Sequence, residues 1–193
     1  MSAQAHEMPT ALVVIDMQRA FLEGDHATHA RAGVQVTVRH LLAAARTAEA
    51  LVIHLQNDDP AGAPDEPETA GWELAVSPAP GEAVLRKSRD DGFIDTDLGP
   101  MLDRHRVTSV AVAGLLSEMC VATTARSAMT RGLNVVLPRG AHGTYDIPED
   151  DSPRGVPVSA LQVARVAESS LGDEVVILPA EAVQFAPATP PQS

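Results

Sequence analysis

One cysteine in 193 residues, Cys120, cannot form an internal disulfide. That excludes the disulfide-stapled scaffolds and fits a reducing, cytoplasmic setting. Aromatic residues are scarce, at one Trp, one Tyr and three Phe. The core must therefore be built from Ala, Val, Leu and Ile. No apolar run approaches the roughly 18 residues needed to span a bilayer, so no membrane association is expected. The opening "MSAQAHEMPT" has no basic stretch leading into an apolar one, and a secretory signal is not expected. Basic side chains are outnumbered, with 14 Lys and Arg against 26 Asp and Glu and a formal charge of −12. Phosphate backbones would be repelled, which argues against a nucleic-acid partner. An acidic surface suits a cationic small molecule, although it also serves solubility.

Hydrophobic residues make up 45% of the chain, enough for one sizeable core. Short apolar runs, "ALVVI" (11–15), "ALVIHL" (50–55), "AVL" (83–85), "VTSVAVAG" (107–114), "LNVVLP" (133–138) and "EVVIL" (174–178), alternate with Ala-rich segments. Most runs are continuous, as in strands buried on both faces of a parallel sheet. The segments between them, about 33–48, 96–105, 117–131 and 157–170, have helical character. Val38, Leu41, Leu42 and Ala45 recur at helical spacing. This alternation predicts an open, doubly wound α/β sheet. A single domain over 10–185 is expected, with a flexible start at 1–9 and a disordered tail at 186–193. The acidic, Pro-rich loop 57–71 is long enough to suggest a functional role.

Ligands of open α/β sheets bind at the carboxyl ends of the strands. Asp16 follows the first run, Lys87 the third and Cys120 the fourth. Each has an ordinary structural reading: a turn Asp, a solvated Lys and a buried Cys packed as a small hydrophobe. Together they make a nucleophilic site. Ser117 is a good N-cap residue, which would set Cys120 in a first helical turn where dipole and Lys87 favour thiolate. Asp16 would accept the thiol proton and return it to the leaving group.

The stretches "ALVVIDMQRAFL", "VLRKSRDDGF" and "VAVAGLLSEMCVATTARSAMTRGLNVVL" resemble the isochorismatase-like cysteine hydrolases, a superfamily that includes nicotinamidases, N-carbamoylsarcosine amidases and isochorismatases. The likeness runs from about residue 10 to residue 178. It implies six parallel strands with helices on both faces and a catalytic triad of Asp16, Lys87 and Cys120. It further implies a cis bond between Leu115 and Leu116, with Leu116 and Cys120 N–H groups as the oxyanion hole. Such enzymes form a thioester and release an amine. The region after the second strand lacks the Asp-x-His metal motif of nicotinamidases, so neither metal nor other cofactor is expected, and His54 reads as a packed histidine. Homodimers or homotetramers are common in the family.

"RGAHGTYDIPEDD" and "ALQVARVAESSLGDEVVIL" look most similar to the streptothricin-hydrolase branch, which opens the lactam of a polycationic antibiotic. Phe21, Trp72 and Phe93 are candidate pocket walls, and Glu118, His142 and Tyr145 candidate substrate contacts. Asp58, Asp59, Asp90 and Asp91 are further candidates for an acidic rim. The expected activity is a cysteine amidohydrolase acting on a small amide, with a streptothricin-type lactam as the specific candidate. Nicotinamidase, carbamoyl-amide hydrolase or isochorismatase chemistry is the alternative, and a silent small-molecule binder of the same fold is the alternative outside enzymes.

Overall fold

A computed structural model describes residues 7–24, 27–28, 31–150 and 155–191. The strands are β1 (Ala11–Ile15), β2 (Leu51–Asn57), β3 (Ala83–Lys87), β4 (Ser109–Leu115), β5 (Asn134–Arg139), β6 (His142–Gly143) and β7 (Val176–Pro179). The helices are α1 (Arg19–Leu22), α2 (Arg31–Thr47), α3 (Leu98–Arg104), α4 (Ala122–Thr130) and α5 (Ala160–Ser170). A π-helical turn, Ser117–Val121, leads into α4.

The main sheet runs in the order β3-β2-β1-β4-β5-β7, and the two-residue β6 pairs with β4. All the paired strands are parallel. Apolar continuity follows position. Every residue of the central strands β1 and β4 is buried. Outward-facing residues return at the edge, where Val84 and Arg86 of β3 are exposed. Five of the six apolar runs stop short of the observed strand ends, and in three of them polar residues complete the strand. Gln56 and Asn57 finish β2, Arg86 and Lys87 finish β3, and Arg139 finishes β5.

Two cores flank the sheet. On one face α2 packs Val34, Val38, Leu41, Leu42 and Ala45 against Leu12 and Val14. On the other, Val13 and Ile15 meet Leu98 and Leu102 of α3 and Ala122, Ala125 and Ala128 of α4. Helix α5 starts at a capping box in which Ser159 and Gln162 satisfy each other's backbone N–H groups.

Residues 186–191, expected in a disordered tail, are held by bonds from the Ala186 and Ala188 N–H groups to Pro9 and Glu49 carbonyls, both 3.0 Å. Residues 192–193 and 1–6 lie outside the described residues.

The chain leaves β1 to build β2 and β3 on one side, then crosses back to place β4 on the other. The carboxyl ends of β1 and β4 therefore meet at the topological switch point, where open α/β sheets form their crevice.

Candidate active site

Two backbone turns shape that crevice. Asp16, directly after β1, has φ 49°, which swings its side chain inward while its N–H bonds Leu55 O at 3.0 Å. Across from it, Gly114 has φ 124°, and a Cβ there would lie against the Ile15 carbonyl. Only glycine fits so close an approach in that conformation. The next peptide, Leu115–Leu116, is cis, as the resemblance implies.

Asp16, Lys87 and Cys120 meet. Lys87 Nζ lies 2.8 Å from Asp16 Oδ2 and 3.4 Å from Cys120 Sγ. Both ionic partners are buried, at 3% exposure each. Lys87 Nζ also donates to Asn57 Oδ1 at 3.3 Å. Asn57 is in turn held by Gln18, which donates to its carbonyl at 3.0 Å and accepts from its N–H at 2.8 Å. Asn57 Nδ2 donates to Asp65 Oδ2 at 2.8 Å, which ties the long acidic loop to the site. Neither Gln18 nor Asn57 is among the sequence candidates. Gln18 stands in the "DMQ" that follows β1, so its signal was present. Asn57 lies beyond the apolar run that marks β2.

The protonation pattern reverses one expectation. Burial pushes the Cys120 thiol up, and Asp16 adds to this, while Lys87 pulls the other way without prevailing. The resting thiol is therefore protonated rather than a dipole-stabilised thiolate. Ser117 does not cap a helix: Leu116 stands at the cap position without a side-chain cap bond, and a π turn intervenes before α4. Burial also raises Asp16, to about 6, against the opposing pull of Lys87. Lys87 stays above the ordinary lysine range, because Asp16 and Cys120 outweigh its own burial. Asp16 Oδ1 is buried with no hydrogen-bond partner among the described residues. The thiol's surroundings are thus one ammonium, a carboxylate with a spare acceptor oxygen, and Asp90, whose Oδ1 accepts from Sγ at 3.7 Å.

A cavity of about 240 Å³ opens above Cys120. Its lining includes Asp16, Phe21, Asn57, Asp59, Arg89, Asp90, Leu116 and Met119. Of the sequence candidates, Asp16 and Cys120 of the triad, Phe21 and Leu116 border it. Trp72, Phe93, Glu118, His142 and Tyr145 do not. Trp72 turns its Nε1 to Asp58 at 2.8 Å and stacks beneath Arg86. Phe93 is buried in the α3–α4 core under Arg131. Glu118 is exposed and accepts from Thr144 Oγ1 at 2.8 Å. His142 lies behind the π turn, bonded to Ser117 Oγ at 2.9 Å. Tyr145 is outside the lining, its phenol raised by burial and by the nearby Asp65. Of the acidic rim, Asp59 and Asp90 face the cavity. Asp58 pairs with Arg86, and Asp91 accepts from Ser127. His54 is fully buried against Glu82, 2.9 Å away. Among the described residues, no group of three or more His, Cys, Asp and Glu is arranged to hold a metal ion.

Comparison with known proteins adds a family. The isochorismatase domain family matches residues 10–152. Two streptothricin hydrolases of Streptomyces noursei are 55% and 53% identical, over 91% and 94% of this chain. The chain spans 64% of the length of the first and 73% of the second. A crystal structure of an isochorismatase from Pseudomonas putida superposes with a TM-score of 0.83 over 90% of both chains at 24% identity, a likeness of fold alone.

Proposed function

The chain belongs to the isochorismatase family, and from that premise we propose that it is a cysteine amidohydrolase that opens the lactam of a streptothricin-type antibiotic. The observation that carries the reading is the contact of Lys87 Nζ with both Asp16 and Cys120 at the base of one cavity.

Substrate binding excludes water and sets a carbonyl over Sγ. The thiol proton passes to Asp16, and the sulfur, held beside Lys87, attacks the carbonyl carbon. The resulting oxyanion takes hydrogen bonds from the Leu116 and Cys120 N–H groups. Collapse breaks the C–N bond, and Asp16 returns its proton to the departing nitrogen. In a lactam that nitrogen stays tethered, so the ring opens without loss of atoms. A water then gives its proton to Asp16 and attacks the thioester. The carboxylic acid is released and the proton returns to sulfur. The net change is addition of one water.

The substrate assignment rests on the streptothricin hydrolases and on the cavity. Its volume is below the roughly 300–1,000 Å³ of pockets that enclose a drug-sized ligand. It takes the ring that carries the scissile bond, while a long cationic remainder lies outside, near the acidic surface. Asp59 and Asp90 on the cavity wall are the carboxylates placed to meet positive charge.

The test is incubation with streptothricin followed by mass spectrometry. Wild type should add the mass of one water, and Cys120→Ser should leave the antibiotic intact. Full turnover by Cys120→Ser would overturn the mechanism. An unchanged antibiotic beside rapid hydrolysis of simpler amides would overturn the substrate.

A further inference from the structure

Behind the nucleophile lies a second buried polar chain that the hydrolytic steps do not use. Ser117 opens the π turn that carries Cys120, and it is 1% exposed. Its Oγ lies 2.9 Å from His142 Nδ1. On the far side of the ring, His142 Nε2 faces Glu168 Oε1 at 3.5 Å, and no closer polar partner reaches it among the described residues. His142 and Glu168 are themselves buried, at 6% and 5% exposure. Glu168 is in turn anchored by Arg165 at 2.9 Å, with Arg139 at 3.9 Å. Residues from the π turn, β6 and α5 thus form one line that ends at the base of the nucleophile's turn.

The carboxylate decides the tautomer. A histidine facing an acid keeps its proton on the nitrogen nearer that acid. Nε2 therefore carries the hydrogen towards Glu168, and Nδ1 is left as an acceptor for the Ser117 hydroxyl. Burial holds the imidazole below its ordinary range, with Glu168 pulling the other way, which keeps the neutral ring that this arrangement needs. Ser117 lies outside the lining of the catalytic cavity. The Ser–His–Glu line accordingly has no substrate to attack, and its effect is on position.

We propose that His142 is a positioning residue for Cys120: by accepting from Ser117 it fixes the π turn, and so the angle from which sulfur meets the carbonyl. Among the described residues Ser117 has no other side-chain partner, so without His142 its hydroxyl is buried unpaired and the turn gains a reason to shift. The proposal rests on Cys120 being the nucleophile but not on the identity of the amide.

Three variants separate this role from simple packing. Asn places an oxygen where Nδ1 stands, whereas Gln reaches to the position of Nε2. His142→Asn therefore keeps the bond to Ser117, and His142→Gln keeps only the contact with Glu168. With any amide that wild type hydrolyses, His142→Gln and Ser117→Ala should each lower kcat about 10- to 100-fold, the scale of a roughly 1 Å misplacement. KM should stay within about threefold, and His142→Asn should stay within about threefold of wild-type kcat. The double variant Ser117→Ala/His142→Gln should be no worse than either single one, because both cut the same link. A readout without substrate is amide hydrogen exchange over residues 116–121. It should speed up about tenfold in His142→Gln and Ser117→Ala and not in His142→Asn. Wild-type exchange in His142→Gln overturns the proposal whether or not any amide is turned over. If exchange responds as expected and no amide is hydrolysed by wild type, the functional reading fails alone.

Discussion

A thiol that burial keeps protonated needs a base, and the acid limb of the rate profile should report that base. Asp16 is pushed up to about 6, and only its ionised form can take the proton from Cys120. We expect kcat/KM to be level above neutrality and to fall about tenfold per pH unit well below 6. Asp16→Asn should remove both the limb and most of the rate. A profile in wild type that is flat from pH 5 to 8 would remove Asp16 from this role. At this scale the sequence announced the actors and not their state. Asp16 was legible because it directly follows an apolar run, Lys87 because it completes the strand that its run begins, and Cys120 because it is the lone thiol just beyond β4. The thiol's protonation was not, because it depends on burial and on Asp16 lying beside it, which no spacing displays. Phe93 and His142 misled for a related reason. Phe93 lies in the loop after β3 and His142 opens β6, but local packing turns both into the interior behind the site.

Two elements carry the site and each has a weak point. β4 approaches β1 closely at Gly114, which partners Ile15 in the register. Gly114→Ala would force a Cβ against the Ile15 carbonyl in a positive-φ conformation. A loss of about 2–3 kcal/mol is expected, read as a fall in Tm of roughly 5–10 °C. An unchanged Tm would show that the strands can part without cost. β3 is the exposed edge that ends in Lys87, and Glu82 fastens its start. Glu82 bonds Arg46 of α2 at 2.7 and 2.9 Å, His54 of β2 at 2.9 Å and the Ala79 N–H at 2.7 Å. These partners outweigh the opposing effect of burial and hold the Glu82 carboxyl down at about 2. A carboxylate depressed in the folded state gives stability that is complete above its unfolded pKa and is lost as pH falls through the folded one. Wild type should therefore exceed Glu82→Gln in urea stability near pH 7, by about 2 kcal/mol. The gap should close between pH 4.5 and 2, and a constant gap would dissociate Glu82's charge from the effect. The strands and helices were mostly readable from apolar runs and helical spacing. The π turn was not, because "SEMCV" reads as an ordinary first helical turn. What distinguishes it is Ser117 bonding across to His142 instead of capping.

The chain's formal charge of −12 gives the whole molecule a field that acts before any contact. For a cationic streptothricin-type substrate, capture should weaken as salt screens that field, with a Debye length near 10 Å at 0.1 M. We expect kcat/KM to fall several-fold between about 20 and 500 mM NaCl, while a neutral amide shows no such trend. Equal salt dependence for the two would detach the acidic surface from substrate choice. The architecture was legible at this scale because alternating runs and segments leave few alternatives to a doubly wound sheet. The cavity's shape was less so. Its walls come from loops such as 88–90, whose course follows from Thr124 Oγ1 bonding both the Gly92 N–H and the Asp90 carbonyl.

The trio of Asp16, Lys87 and Cys120 behaves differently from the surface. In the proposed step the proton leaves sulfur for Asp16, so one negative charge moves from oxygen to sulfur and the total around Lys87 does not change. The interior never has to accommodate an added ion during the step, so the chemical step should be almost blind to salt even where capture is not. Lys87 is then best understood as the fixed counter-charge that makes either location of the anion tolerable. Without it Asp16 would hold its proton far more tightly, and the thiol would face a base that is already spent.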